Sequence, residues 1–205
     1  MFFCSCVVMK KSHISKIRIT QLMKTESEKK FDTLVSHVFT FFKPLGYKKK
    51  GNNFRLYDKQ AEFGKIVNFQ KSVYGNKQCI SFTINISIYL ADYEYHWSKG
   101  KRKSGENFAE ASCVIRNRID KFNWHHPIHP QWFDIKEETD FDKLKEEIDF
   151  NFVNAISYLD KIKTKKDVLY EIYTNASDLP DSVAKTLFYN GQKNQALNFL
   201  EQTIK

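Results

Sequence analysis

Amide and guanidinium side chains recur at two-residue spacing along three extended segments of the chain. Residues two apart in a β-strand lie on one face of the sheet, so each segment directs its polar groups to one side. A rigid face of amides and guanidinium groups can bind a polar ligand or the backbone of a partner protein. The alternative is an ordinary solvated sheet face, although Asn is depleted in strands. The candidate binding residues are Asn68, Gln70, Thr83, Asn85, Arg116 and Arg118, together with Lys71.

A cluster of histidines is the second candidate for chemistry. His125, His126 and His129 are close in sequence, and clustered imidazoles can bind zinc or copper. Pro127 and Pro130 prevent the regular helix that would align these rings, and no Cys or acidic residue nearby completes a ligand set. We therefore predict a surface loop, with no metal and no other cofactor.

Basic and aromatic residues alternate in a third candidate segment. The run from Lys99 to Lys103 follows Tyr93, Tyr95 and Trp97. Such residues can bind single-stranded nucleic acid through stacking and phosphate contacts. The alternative is a loop whose aromatic side chains complete the preceding strand. In either case we predict a long exposed loop over residues 91–111.

Standard catalytic motifs are absent from the sequence, including nucleophile elbows, zinc-protease motifs and glycine-rich phosphate or dinucleotide loops. The order of a helix followed by three strands is similar to metal-dependent nucleases, but the hairpin segment 68–71 carries amides where these enzymes need carboxylates. Magnesium therefore has no ligands there. We expect a non-enzymatic protein. An enzyme acting on a small polar substrate would have to use Glu62, Asp92 or Asp134 as its acid or base.

The amides are positioned by a predicted β-hairpin. Gly75-Asn76 favours a two-residue turn, which places Phe69 opposite Phe82 and Asn68 opposite Thr83. This register puts the apolar side chains of both strands on one face and the amides on the other. The hairpin therefore predicts one buried and one polar face.

Two amphipathic helices are predicted to cover the apolar face. Helical spacing of apolar residues indicates a helix over residues 27–43 with Ser27 as its N-cap, and another over 141–162 with Thr139 as its N-cap. Shorter strands are predicted at 54–57 and 112–119, and further short helices follow residue 166. The expected fold is α+β, with a four-stranded, mainly antiparallel sheet, helices on one face and a C-terminal helical appendage.

The chain divides into three predicted parts. Residues 1–26 form an N-terminal tail, 27–165 the α+β core domain and 166–205 the helical appendage. Translation starting at Met23 instead of Met1 would remove most of that tail.

The net charge of +9 is concentrated in the N-terminal part of the chain. Residues 1–60 hold 13 Lys and Arg against 4 Asp and Glu, whereas residues 136–205 hold 10 against 13. A basic N-terminal part favours binding to an acidic partner, which can be a nucleic acid, a membrane surface or an acidic protein. Lysine outnumbers arginine, whose planar fork is the usual means of specific phosphate and base recognition, and this disfavours sequence-specific nucleic-acid binding.

Cysteine usage and hydropathy indicate the cellular setting. The four cysteines include no C-x-x-C pair and no zinc spacing, which favours a reducing, cytoplasmic environment. The longest uncharged apolar run, Met1 to Met9, is about half as long as a membrane-spanning helix. No positive charge precedes it, unlike a signal peptide. We therefore expect no membrane insertion.

Six short motifs between Leu45 and Phe133 carry a family resemblance. They are Gly46-Tyr47-Lys48-Lys49, Gly51-Asn52-Asn53-Phe54, Val67-Asn68-Phe69-Gln70-Lys71-Ser72, Phe82-Thr83-Ile84-Asn85, Cys113-Val114-Ile115-Arg116-Asn117-Arg118-Ile119 and Trp132-Phe133. Through them, residues 45–133 resemble the uncharacterised bacterial family called domain of unknown function 4304. The family implies no established activity, although small bacterial domains of this sort include immunity proteins of toxin systems.

The functional expectation is a bacterial protein-binding module, with an immunity-type role as its concrete form. Two alternatives from other classes stay open. One is nucleic-acid binding through the basic N-terminal half, and the other is an enzyme acting on a small polar substrate.

Overall fold

The computed structural model describes residues 24–122, 132–175 and 179–203. These residues form an α+β fold with six α-helices and six strands. No helix among them is long and apolar enough to cross a bilayer. In chain order the elements are α1 (Glu26–Phe42), β1 (Lys48–Lys50), β2 (Asn53–Asp58), β3 (Phe63–Lys71), β4 (Ile80–Leu90), α2 (Ala91–Trp97), β5 (Ile115–Arg118), β6 (Phe133–Ile135), α3 (Phe141–Lys161), α4 (Lys165–Asn175), α5 (Pro180–Tyr189) and α6 (Lys193–Thr203).

The sheet is open and antiparallel, in the order β1-β2-β3-β4-β5. Strand β6 also pairs with β4, along the same edge as β5. The prediction of four strands was therefore wrong, because β1 and β6 have only three residues each and show too little alternation to be recognised. The strand expected over residues 112–119 is confined to Ile115–Arg118, since short 3₁₀ turns flank it at Glu110–Ser112 and Ile119–Phe122.

The predicted hairpin register was wrong by two residues. Asn68 pairs with Asn85 and Phe69 pairs with Ile84. The turn is centred further along, where the Asn76 Oδ1 accepts hydrogen bonds from the backbone N–H groups of residues 78 and 79 at 2.9 and 2.8 Å. This side-chain turn displaces the predicted two-residue loop. Because strand side chains alternate with a period of two, the shift keeps every residue on its predicted face.

Both N-cap predictions were wrong by a residue or two. Helix α1 is capped by Thr25, whose Oγ1 accepts a hydrogen bond from the Glu28 N–H at 3.2 Å, while the Glu28 carboxylate accepts one from the Thr25 N–H at 2.8 Å. This reciprocal pair satisfies two backbone donors, which a cap at Ser27 does not. Ser27 is buried and donates instead to the carbonyl of Gln78 at 2.7 Å. Asp140, and not Thr139, caps α3.

The segment 91–111 is not the exposed loop that was predicted. Helix α2 follows β4 without an intervening turn and buries Tyr93 and Glu94. Further on, Phe108 is fully buried. At seven residues, α2 is too short to show a helical period in the sequence.

Two hydrophobic clusters lie on the apolar face of the sheet. Helices α1 and α3 pack on the end of the sheet that carries Phe69, Phe82 and Ile84. Helices α4, α5 and α6 pack at the opposite end of the strands, around Ile88 and Leu90. The C-terminal helices therefore share a core with the sheet. The domain boundaries stay a prediction.

The other side of the sheet is here called the polar face. One end of it is covered by Phe108, which packs on Ile66 and Tyr89 in a small third cluster. The remainder carries the polar side chains of the candidate site, which are Asn53, Asn68, Gln70, Thr83, Asn85, Arg116 and Arg118.

Candidate functional site

A single row of polar residues crosses five strands of the polar face. Consecutive members are direct register partners, so neighbouring strands hold them about 4.8 Å apart and the row extends about 19 Å. A cation stands at each end and three amides stand between them. We call this set the central row; its members, from β1 to β5, are Lys50, Asn53, Asn68, Asn85 and Arg118.

The amides of the central row hydrogen-bond to one another in one direction. The Asn85 Nδ2 donates to Asn68 Oδ1 at 3.0 Å and to Gln70 Oε1 at 2.9 Å, and the Asn68 Nδ2 donates to Asn53 Oδ1 at 2.8 Å. Both protons of the buried Asn85 amide are thereby used. The carbonyl oxygens of Asn53, Asn68 and Gln70 each accept a bond within this ladder. The amide groups left at its ends, on Asn53 and Gln70, are donors.

The Arg118 end contains two polar atoms without partners. The guanidinium carbon of Arg118 lies 5.3 Å from the centroid of the Trp132 ring. Within the part of the chain that the structure describes, Arg118 Nη1 and the hydroxyl of Thr83 are buried and make no hydrogen bond. An unsatisfied buried polar group costs about 1–3 kcal/mol, so an acceptor close to Nη1 would be stabilising.

Arg116 lies on the same face, in the row of register partners next to the central row, and already hydrogen-bonds to a carboxylate. Its Nε and Nη2 donate to the two oxygens of Glu110 at 2.8 and 3.0 Å. The hydroxyl of Ser87, the register partner of Arg116, also donates to Glu110 at 3.2 Å. Glu110 shows that a carboxylate fits against the donors at this edge of the sheet.

Lys71 is the candidate residue that the structure separates from the others. It lies on the apolar face, opposite Phe82, and its Nζ is 4.2 Å from the centroid of the Phe31 ring. This is a cation–π contact at the rim of the core. Sequence reasoning missed Lys50 and Asn53, because their place in the row depends on pairing of β1 with β2 and of β2 with β3. The alternation of Asn53 with Arg55 was the available signal.

The basic and aromatic segment at 99–103 does not form a continuous binding surface. Tyr93 is buried in the core. The Lys103 ammonium is held between Glu62, at 3.3 Å, and Asp92, at 3.6 Å. The predicted alternative, a loop whose aromatic side chains complete the preceding strand, is also wrong, because Tyr93, Tyr95 and Trp97 lie in helix α2.

The three acidic residues considered for catalysis lie apart from the central row, with Asp92 in a structural contact. The Asp92 carboxylate accepts hydrogen bonds from Lys165 Nζ at 2.6 Å and from Asn190 Nδ2 at 3.1 Å. Burial alone would raise the pKa of Asp92, but these hydrogen bonds lower it below its ordinary value. A carboxylate that stays ionised and joins α2 to α4 and α5 is poorly suited to proton transfer. Asp134 sits in β6 and pairs with Ser81.

The histidine cluster at 125, 126 and 129 lies outside the described residues. Among residues 24–122, 132–175 and 179–203, no group of three His, Cys, Asp or Glu side chains could hold a metal ion. The ring of His96 stacks on the ring of Tyr189 with 5.2 Å between centroids, and burial lowers the pKa of His96.

Comparison with known families gives a match to "Domain of unknown function (DUF4304)" over residues 38–179. This is more than half of the chain. The protein belongs to the DUF4304 family. The matched region contains all six strands, the whole central row and helices α3 and α4, and so extends beyond the segment in which the motifs were recognised. Comparisons with curated proteins and with solved structures found no match.

Proposed function

We propose that this DUF4304 protein is a non-enzymatic binding module whose polar face binds an acidic segment of a partner protein. The observation that carries the proposal is the direction of the amide ladder. Because the amide oxygens of Asn53, Asn68 and Gln70 accept bonds from within the ladder, the face offers mainly donors and cations to a partner. Carboxylates supply the matching acceptors, and charge complementarity of this kind gives specificity and a fast association rate.

The size and order of the central row also support a protein ligand. An extended peptide of about six residues has the same length as the row, at about 3.3 Å per residue. The ladder fixes the amide side chains before binding, so little conformational entropy is lost when a partner docks.

Binding to the face is favoured over extension of the sheet at its edge. Strand β1 is an edge strand made of three exposed lysines, Lys48–Lys50. Lysines on an edge strand oppose pairing with another strand. An immunity-type role is the concrete form of this proposal, and it requires an acidic surface on the toxin.

A single substitution on the polar face tests the proposal. Gln70 is exposed, and its Oε1 accepts from Asn85. The change Gln70→Glu keeps that acceptor but replaces the outward amide donor with a negative charge. The matched control is Gln60→Glu, an exposed position in the turn between β2 and β3.

The tagged full chain and both variants would be used to retain partners from cells that produce the protein, with and without nuclease. We expect one acidic protein to be retained by the natural chain and by Gln60→Glu, to survive nuclease, and to bind Gln70→Glu about tenfold more weakly. Retention that is equal for all three chains contradicts the proposal. Loss of every partner after nuclease would favour the nucleic-acid alternative instead.

A further inference from the structure

A cavity of about 260 Å³ lies beside the central row, where the turn after α1 and strands β1 and β2 meet the 3₁₀ turn Gly105–Asn107. Its lining combines cations with one carboxylate and an aromatic side chain. Its lining includes Lys48, Lys50, Arg55, Tyr57 and Glu106.

The positive charges of this cavity are closely spaced. Lys48 and Arg55 are direct partners across the β1–β2 pair. Like charges directly opposite one another in a sheet are destabilising. Lys50 is two residues from Lys48 and therefore lies on the same face. Three cations thus face one carboxylate, that of Glu106.

This excess of charge is not neutralised within the described part of the chain. Over residues 24–122, 132–175 and 179–203, no carboxylate oxygen lies within 4.0 Å of the charged nitrogens of Lys48, Lys50 or Arg55. The lining therefore has a formal charge of about +2, which matches a phosphate monoester of charge −1.5 to −2 near pH 7.

Arg55 is held in place for such a ligand. Its Nε donates to the carbonyl of the fully buried Phe108 at 2.7 Å, and its guanidinium carbon lies 5.9 Å from the centroid of the Phe108 ring. In the described residues this is the only hydrogen bond of the Arg55 guanidinium, so the two terminal nitrogens keep their donors. A planar guanidinium with two such nitrogens matches the geometry of phosphate oxygens.

We propose that this cavity binds a phosphate monoester, with Arg55 and Lys48 as the principal contacts. Lys50 supplies a third positive charge, and Tyr57 and Leu56 line the wall against which the organic group packs. The monoester can belong to a small molecule or to a phosphorylated side chain of a protein. This site shares Lys50 with the central row, but its principal contacts are other residues, and the inference does not depend on the proposed partner site.

Titration of the full chain with defined phosphates tests the inference. The probes are glucose 6-phosphate, a phosphoserine peptide and the same peptide without phosphate. Binding is measured by calorimetry and by shifts of the backbone amide NMR signals of residues 48–57. The variants are Arg55→Gln and Lys48→Gln, with Lys59→Gln as a matched control outside the cavity. Lys48 is exposed, so its variant is expected to fold even if Arg55→Gln does not.

We expect at least one monoester to bind. Each cavity variant should raise its dissociation constant about tenfold, as expected for the loss of one charge-assisted hydrogen bond. Lys59→Gln should bind like the natural chain. Binding of the sugar phosphate alone identifies a small-molecule source, and binding of the phosphopeptide alone identifies a protein source. Failure of both probes, or equal binding by the natural chain and Lys48→Gln, overturns the inference. Gln70→Glu is expected to leave phosphate binding unchanged, which separates this site from the partner site.

Discussion

Removal of the buried Glu94 carboxylate should loosen the segment that follows α2. Glu94 is fully buried, and in the described part of the chain no Lys, Arg or His nitrogen lies within 4.0 Å of its carboxylate. Its carboxylate accepts hydrogen bonds from the Tyr89 hydroxyl at 2.7 Å, from the Ser104 N–H at 2.6 Å and from the Ser104 hydroxyl at 2.7 Å. These bonds connect β4, α2 and the segment before the turn at residue 105.

The size of the effect follows from the donors left behind. Glu94→Ala leaves the buried Tyr89 hydroxyl and the Ser104 N–H without acceptors, at about 1–3 kcal/mol each. Two effects reduce this cost. The exposed Ser104 N–H can hydrogen-bond to water, and the desolvation cost of the buried carboxylate is removed. We therefore expect the free energy of unfolding to fall by about 2–4 kcal/mol. Glu94→Gln keeps one acceptor oxygen and should lose about 1–2 kcal/mol.

The pH dependence gives a second readout. Burial would raise the pKa of Glu94, but the hydrogen bonds from Ser104 and Tyr89 lower it below its ordinary value. A lowered pKa in the folded state means that the ionised group stabilises the fold above the ordinary Glu pKa. That contribution disappears as the pH falls through the lowered value. Glu94→Gln should therefore flatten the fall in stability below about pH 4.5.

Urea unfolding followed by circular dichroism measures these free energies, and hydrogen exchange of the Ser104 amide reports on the local contact. Glu106→Ala makes the same chemical change at an exposed position and is the matched control. The reasoning is refuted if Glu94→Ala unfolds within about 0.5 kcal/mol of that control, the usual range of surface substitutions. Unchanged exchange of the Ser104 amide would refute it equally.

Three further substitutions test the packing around the polar face. Asn85→Ala removes the donor to two amide oxygens, and we expect a loss of about 1–2 kcal/mol in urea unfolding; no loss would mean that the ladder contributes nothing. Thr83→Val replaces a buried hydroxyl that has no partner among the described residues, so thermal unfolding should show an unchanged or higher midpoint, and a clear decrease would indicate a partner for that hydroxyl. At Gly64 an added Cβ would lie 2.5 Å from a ring carbon of Phe108, so Gly64→Ala should lower stability by about 1–3 kcal/mol, whereas a neutral result would show that the ring can move.

The elements that the sequence predicts well are those with strong periodicity. The apolar alternation of β4 and the helical spacing of α1 and α3 each extend over many residues, and the structure places both helices within one residue of the bounds predicted as 27–43 and 141–162. The separation of the amides from the apolar residues was also correct, because it depends only on side-chain parity. The predicted hairpin register was wrong, because two hydrogen bonds accepted by the Asn76 side chain decide where the turn lies.

The candidate site was only partly visible in the sequence. Asn68, Gln70 and Asn85 could be placed on one face from the alternation along β3 and β4. The hydrogen bonds between these amides could not be predicted, because they depend on which amides are register partners, and the predicted register was wrong by two residues. Lys50 joins this face through the pairing of β1 with β2, which no local pattern in the three lysines of β1 indicates.

The helices at the end of the chain bear on how this family is delimited. The family match ends at residue 179, before α5 and α6. Yet Val183, Leu187 and Phe199 from these helices are buried against the same cluster as Leu90 of the sheet. A fragment cut at the limit of sequence similarity would expose this apolar surface and is expected to self-associate. We therefore expect the shortest fragment that folds as a monomer to include α5 and α6, beyond the limit of the family match.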